Sequence, residues 1–252
     1  MTFAAYVIGR DDAPGIVVLH VWWGVDFEIK NHAQKIARFD KGYKALIPDL
    51  YRGKVGLGAA EAQHLMDGLD WKGAVKDIET YPPVSVSGTG VNWLKEKGSK
   101  KVGVTGFSMG SALAIASSVL VPGVDVVASF YGVPSPELAD VTEAKAPVQA
   151  HFGQRDTFAG FLDVERVGHA FMNRSPEGIE RMKRMGINDE NAEAPDKICS
   201  SRSRSCIAAN KVDLGRFLGG LYVVGSLRNL ISPSHRHATP PPAAFDPGDQ
   251  TA

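Results

Sequence analysis

Cysteine is scarce in this chain, and its two copies match no metal-binding pattern. Cys199 and Cys206 are the only cysteines among 252 residues, and both lie in a stretch rich in Arg and Ser. Their spacing differs from the common zinc-binding patterns, and a cytosolic chain would keep both thiols reduced. We therefore expect no metal site, no disulfide framework and no cofactor.

The chain also lacks an excess of charge of one sign and a long hydrophobic run. Lys and Arg number 28, as do Asp and Glu, so the formal net charge is zero. This balance argues against a nucleic-acid partner and against binding to an acidic membrane surface. The longest apolar stretch, residues 217–227, is too short to span a bilayer, and the N-terminus shows no signal-peptide pattern. We expect a cytoplasmic protein without membrane association.

What the chain does have is an alternation of short apolar runs with helical segments. The predicted strands are residues 15–21, 43–48, 101–106, 124–131 and 147–153, and the predicted helices are residues 27–39, 59–69, 72–79 and 91–97. This alternation predicts an α/β domain, with a mostly parallel sheet covered by helices on both faces. In such sheets the functional site lies at the carboxyl ends of the strands.

Two stretches interrupt the alternation. Residues 81–90 contain Pro82 and Pro83, which cannot continue a helix, so we expect an inserted loop there. Residues 195–252 are rich in Ser, Arg and Pro, and this composition predicts a disordered tail. The predicted organisation is therefore one domain over residues 1–194, followed by the tail.

The most informative motif is a G-x-S-x-G turn between an apolar run and an Ala-rich helical segment. It extends from Gly106 to Gly110 and has Ser108 at its centre. The order strand, turn, helix is the one that a nucleophile elbow requires. Glycines on either side let the strand and the helix approach closely, and the strained turn raises the serine above the sheet. Ser108 is therefore the predicted nucleophile; the alternative is a tight turn with an inert serine.

A serine nucleophile needs a base and an acid that orients the base. In this fold the acid and then the histidine follow the serine along the chain. Asp156 comes just after a predicted strand, and His169 follows it beside Gly168. We therefore predict Asp156 as the orienting acid and His169 as the base, although a solvated carboxylate beside Arg155 is the alternative for Asp156.

An acyl-transfer site also needs N–H donors for the oxyanion. The residue after the nucleophile, Met109, usually supplies one donor, and the loop after an early strand supplies the other. That loop contains Trp22, Trp23 and Gly24, so Trp22 is the predicted second donor. The two tryptophan side chains are expected to pack the pocket wall, or simply the core.

Six short segments, in this order, resemble the dienelactone hydrolase (carboxymethylenebutenolidase) family, and its eukaryotic cytosolic branch most closely. They are residues 19–25, 48–53, 106–110, 130–132, 151–156 and 168–173. The resemblance covers about residues 5–189. It implies a cofactor-free α/β-hydrolase, a monomer or weak homodimer, that opens ester or lactone bonds of small molecules.

The resemblance also assigns roles by position. The family's catalytic triad falls on Ser108, His169 and Asp156, and an arginine that binds a substrate carboxylate falls on Arg52. Trp23 and Tyr131 complete the expected substrate-binding residues.

The chain departs from the family at several positions. The family nucleophile is usually Cys and here is Ser108, and the glutamate that usually follows His20 is here Val21. Both changes are typical of a serine esterase that depends wholly on its histidine. A second anion-binding arginine of the family falls at Asn173. Only residues 157–168 separate acid and histidine, so we expect the last strand and helix of the fold to be missing, with an unrelated tail beyond.

Three interpretations stay open at this level. The first is an ester or lactone hydrolase that uses Ser108, His169 and Asp156. The second is a catalytically impaired family member that binds a ligand or a partner in the same pocket. The third is a non-functional splice product.

Overall fold

The computed structural model describes residues 5–39, 42–79, 90–151, 170, 172–173 and 175–185. Its centre is a six-stranded sheet in the order β1-β3-β2-β4-β5-β6. The strands are β1 (Ala5–Ile8), β2 (Gly15–Leu19), β3 (Lys44–Pro48), β4 (Val102–Phe107), β5 (Val126–Phe130) and β6 (Val148–His151). β1 runs antiparallel to β3, and the other neighbouring strands are parallel.

Six α-helices accompany the sheet in the described part of the chain. They are α1 (Phe27–Arg38), α2 (Ala59–Asp67), α3 (Trp71–Glu79), α4 (Val91–Glu96), α5 (Met109–Leu120) and α6 (Pro176–Arg184). The predicted strands and helices are all present, with ends displaced by a few residues. β1 and α6 were not predicted.

Helices pack on both faces of the sheet because side chains alternate along the buried strands. On β2, Ile16 and Val18 face a cluster that includes Ile29 of α1 and Met182 of α6. Val17 and Leu19 face the opposite cluster, formed with residues of α3, α4 and α5. The predicted α/β architecture with a mostly parallel, doubly covered sheet is therefore confirmed.

The strand order changes direction at β2, which lies between β3 and β4. The connections that follow β2 and its neighbour β4, through α1 and α5 respectively, leave the sheet on opposite sides, and this opens a crevice at the carboxyl ends. Trp22 follows β2 and Ser108 follows β4. The topology thus brings both predicted site segments to this crevice.

Some predictions concern residues outside the described ranges. α3 ends at Glu79 and α4 begins at Val91, so two separate helices flank the predicted insertion, but residues 80–89 themselves are not described. The shortened segment 157–168, the missing last strand and helix, and the tail 195–252 also stay predictions.

Candidate active site

Ser108 occupies a strained turn between β4 and α5. Its φ angle is 52°, in the left-handed region that costs a residue with a side chain about 1–3 kcal/mol. The Ser108 N–H donates to the carbonyl oxygen of Phe130 at 2.9 Å, and its own carbonyl accepts from Ser111 and Ala112. Bonds on both sides of the turn hold the strained conformation in place.

Three glycines allow this turn to form. A Cβ on Gly106 would lie less than 3.0 Å from backbone atoms of Gly110, and a Cβ on Gly110 would lie equally close to the carbonyls of Leu19 and His20. A Cβ on Gly132 would meet the Ser108 carbonyl. The close approach expected of Gly106 and Gly110 is present, and Gly132 adds a third such contact from the loop after β5.

Ser108 is less buried than its neighbours along the chain. Phe107, Met109 and Gly110 are buried, whereas Ser108 is half-buried. Ser108 is the N-cap residue of α5, but its hydroxyl does not cap the N–H groups of that helix. The Ser108 hydroxyl is therefore not used as a cap for α5.

The two predicted oxyanion donors lie at adjoining backbone segments. Met109 is the first residue of α5, and the first N–H groups of a helix have no partner in its own hydrogen-bond ladder. Gly110 is close to the carbonyls of Leu19 and His20, so the segment leading to Trp22 passes directly beside the start of α5. The oxyanion roles of the Trp22 and Met109 N–H groups stay predictions.

His20 is committed to a structural role beside this site. Its Nδ1 lies 2.7 Å from the Val21 carbonyl, and its Nε2 lies 3.3 Å from the Leu50 N–H. Nδ1 therefore carries the proton and donates, while Nε2 accepts. Complete burial lowers the pKa of His20 and keeps the ring neutral. His20 thus joins the ends of β2 and β3 and is not available as the base.

Two further histidines belong to a buried column of rings below the elbow. His32 stacks on Phe107 at 4.5 Å, Phe107 stacks on Phe130 at 5.0 Å, and Phe130 stacks on His151 at 4.7 Å. Phe107, Phe130 and His151 are register partners on β4, β5 and β6. Burial lowers the pKa of both histidines to about 4, so this ring column is uncharged near neutral pH.

The predicted acid and base, Asp156 and His169, lie outside the described residues. The residue after the histidine, Ala170, is described and lies buried in the cluster that contains Trp23, Phe107 and Tyr131. Ala170 adopts a φ of 61°, and its carbonyl accepts from the Asn173 N–H at 2.9 Å. A tight turn at Ala170 is thus packed on the same side of the sheet as Phe107.

Polar contacts of α6 and its N-cap residue Ser175 connect this segment to the loop before α1 and to the first turn of α1. Arg181 pairs with Asp26 and lies over the Trp23 ring, 4.8 Å from its centroid. The Ser175 hydroxyl donates to the Glu28 carboxylate, as does the Ser175 N–H at 3.2 Å. We call these contacts, made by Arg181 and Ser175 with Asp26, Trp23 and Glu28, the α6 clamp.

Sequence reasoning missed the α6 clamp, although part of its signal is readable. Ser175 followed by Pro176 and Glu177 is typical of a helix N-terminus, and basic residues fill the last turn. The partners, Asp26 and Glu28, lie about 150 residues earlier in the chain, so no local pattern connects them.

The three predicted substrate-binding residues have different surroundings. Trp23 is buried and packs edge-on against Trp22, with ring centroids 5.1 Å apart. Tyr131 is buried, has a φ of 48°, and donates its N–H to the His151 carbonyl. Arg52 Nη2 donates to Asp77 Oδ2 at 2.6 Å, so its guanidinium is engaged by a carboxylate of α3.

No group of three or more His, Cys, Asp or Glu side chains that could hold a metal ion occurs among the described residues. Within the same ranges, none of the helices has the length and apolar character needed to cross a membrane.

Comparison with known proteins places these observations in a family. The model of the dienelactone hydrolase family matches residues 3–178. Carboxymethylenebutenolidase of Pseudomonas putida is 28% identical over 210 residues, covering 70% of this chain and 84% of the relative. Protein usf of Aquifex pyrophilus is 28% identical over 190 residues, covering 66% and 80%.

A solved structure agrees with this result at the level of the fold. It belongs to a Klebsiella pneumoniae protein assigned as a dienelactone hydrolase, with a TM-score of 0.52 and 18% identity. The match covers 72% of this chain and 90% of that one. The α/β-hydrolase fold expected from the sequence is therefore confirmed.

Proposed function

Because the chain belongs to the dienelactone hydrolase family, we propose that it hydrolyses ester or lactone bonds of small molecules through an acyl-enzyme on Ser108. The family membership supports the reaction class. The observation that carries the assignment to Ser108 is its strained turn, in which a half-buried serine is surrounded by three close glycine contacts.

In the proposed reaction, Ser108 Oγ attacks the carbonyl carbon of the substrate while its proton passes to His169. The bond to the leaving oxygen then breaks, and that oxygen takes the proton from His169. Water attacks the acyl group and gives a proton to His169; the acid is released, and the proton returns to Ser108. Asp156 orients His169, and the Trp22 and Met109 N–H groups stabilise the oxyanion.

Two features of the described residues support this mechanism. Ala170, next to His169, is buried in the cluster that holds Phe107 and Tyr131. Phe107 directly precedes Ser108, and Tyr131 directly follows β5. Val21 is buried in the same cluster, so the position next to His20 contributes apolar packing. A serine site of this kind relies on its histidine for activation, whereas a thiol can be controlled by a carboxylate.

The mechanism is tested by labelling the purified chain with a fluorophosphonate probe, in which an activated serine displaces fluoride from phosphorus. We expect labelling of the native protein, no labelling after heat denaturation, and a loss of at least about 10³-fold in ester turnover in Ser108→Ala. Ser117→Ala is the matched control, because Ser117 lies on the same helix and its hydroxyl bonds only the carbonyl of Ala114 among the described contacts.

Absence of labelling in a chain with native circular dichroism would contradict the proposal and favour the ligand-binding alternative. Equal labelling of wild type and Ser108→Ala would assign the reactivity to another residue. A cytoplasmic location, and a monomer or weak homodimer, stay predictions.

A further inference from the structure

A cavity of about 320 Å³ opens between the loop after β3 and the helices α2 and α3. Building on the proposed function, we propose that Asp77 is a specificity-determining residue of this cavity. By pairing with Arg52, it makes the cavity a site for an uncharged part of the substrate, so that neutral esters are preferred over esters that carry a second carboxylate.

The cavity is connected to the elbow through Tyr51. Tyr51 lines the cavity, and its hydroxyl donates to Met109 Sδ at 3.1 Å. Burial raises the pKa of Tyr51, so the hydroxyl keeps the proton that it donates. Met109 follows Ser108 directly. A group bound in the cavity therefore contacts a side chain that touches the residue next to the proposed nucleophile.

Arg52 is held in this cavity by its own backbone and by Asp77. Its φ angle of 58° is in the left-handed region, and the Asp49 carboxylate accepts from the N–H groups of Tyr51 and Gly53 on either side. The guanidinium donates to Asp77 at 2.6 Å, and the Asp77 side chain is only 14% exposed. The Arg52 side chain is 45% exposed, so the ion pair lies at the rim of the cavity, with Asp77 on its buried side.

The charges along the wall balance. Arg52 and Lys54 supply two cations, and Asp70 and Asp77 supply two carboxylates. Leucines at positions 50, 65 and 69 provide apolar surface among them. A carboxylate that approached Arg52 would meet the Asp77 carboxylate at the same guanidinium, and like charges in a partly buried site repel strongly. The Asp77 carboxylate does not repel an uncharged group in this way.

The test uses two esters with the same acyl chain and the same leaving group: p-nitrophenyl hydrogen adipate, which is anionic at pH 7, and its neutral methyl ester. Release of p-nitrophenol gives kcat/KM for each. We expect wild type to prefer the neutral ester. Asp77→Asn should raise the anionic-to-neutral ratio about fivefold, since it removes the carboxylate that competes for Arg52.

Asp70→Asn is the matched control, because it removes the same charge from the same wall. Asp70 Oδ1 accepts from the Gly73 N–H at the start of α3, a role that Asn can also fill. We expect this variant to change the ratio less than twofold. Adding Arg52→Gln to Asp77→Asn should cancel the gain.

The double variant Arg52→Gln/Asp77→Asn, which removes both charges together, keeps the proposal testable if Asp77→Asn alone fails to fold. It should leave the anionic-to-neutral ratio of wild type unchanged; a fall in that ratio would show that Arg52 already binds anions in wild type and would overturn the proposal. Equal ratios in Asp77→Asn and Asp70→Asn would overturn it as well.

Different results would overturn the proposed function and the role of Asp77. Turnover that persists in Ser108→Ala, or no turnover of either ester by wild type, would overturn the proposed function and this inference together. Turnover that depends on Ser108, with a ratio that does not respond to Asp77, would overturn this inference alone.

Discussion

The two regions that meet beside Ser108 are held by different forces. The elbow depends on backbone sterics: a left-handed serine and glycines in direct contact with carbonyls. The α6 clamp depends on side-chain charge, with Arg181 on Asp26 and Ser175 on Glu28. The first kind of structure fails abruptly when one methyl group is added, whereas the second weakens by degrees as charges are removed or screened.

The largest effect in this comparison is expected for Gly106→Ala. The new Cβ would lie less than 3.0 Å from the Gly110 backbone, and a carbonyl cannot rotate away as a flexible side chain can. We expect a loss of about 3 kcal/mol or more in the free energy of unfolding, measured with urea, and loss of probe labelling.

Gly58→Ala is the control for this change, because a Cβ at Gly58 meets nothing within 4 Å. It should change stability by less than about 1 kcal/mol. A Gly106→Ala protein as stable as Gly58→Ala would mean that strand and helix can separate at the elbow, contrary to the backbone account.

The ring column beneath the elbow should make stability depend on pH. The pKa of His32 and of His151 is lowered to about 4 by burial, against an unfolded value near 6.5. Between these values the unfolded state binds more protons, so the free energy of unfolding falls as pH falls from about 6.5 to about 4. Each histidine accounts for roughly 3 kcal/mol over the full window.

Urea unfolding at pH 7.5, 5.5 and 4.5 measures this dependence. In His32→Phe the free energy of unfolding should depend less steeply on pH between 6.5 and 4. The decrease in slope should correspond to about one proton fewer bound on unfolding, since Phe can stack on Phe107 without titrating. His64→Gln, a change at an exposed histidine, should leave the slope as in wild type. Parallel slopes for wild type and His32→Phe would show that His32 titrates normally in the folded protein.

A smaller effect is expected for Arg181→Gln in the α6 clamp. The change leaves the Asp26 carboxylate, whose side chain is 5% exposed, without its cation, and we expect a loss of about 2 kcal/mol. Probe labelling of Ser108 should fall with it if the clamp holds the segment that follows His169.

The same helix supplies a control for this prediction. Arg184 pairs with Glu180 at the surface, where its side chain is 76% exposed, so Arg184→Gln should cost less than about 0.5 kcal/mol and leave labelling intact. If the two arginine variants were equally stable and equally labelled, the clamp would contribute no more than a surface ion pair.

Sequence reasoning succeeded where structure depends on neighbours along the chain. The elbow, the β2 loop and the alternation of strands and helices are encoded in contiguous residues, and the structure shows them. β1 escaped prediction because it has only four residues, two of which, Tyr6 and Val7, are exposed. Arg52 was expected to meet a substrate carboxylate, but no local pattern reveals that Asp77 of α3 engages it.

Some of the predicted site residues lie inside the described ranges and others lie outside them. Ser108, Trp22 and Met109 lie on segments whose backbone positions are described, so their arrangement can be stated. Asp156 and His169 lie on a segment outside the described residues, and their roles rest on chain order and family membership.

The α6 clamp has a consequence for how the protein is made. Arg181 contacts Trp23 and Asp26, partners that leave the ribosome more than 150 residues earlier, and domains fold while synthesis proceeds at about 5–20 residues per second. During the intervening seconds the loop before α1 is without the helix that covers it. A nascent chain that has already built its nucleophile turn therefore completes this wall of the site last.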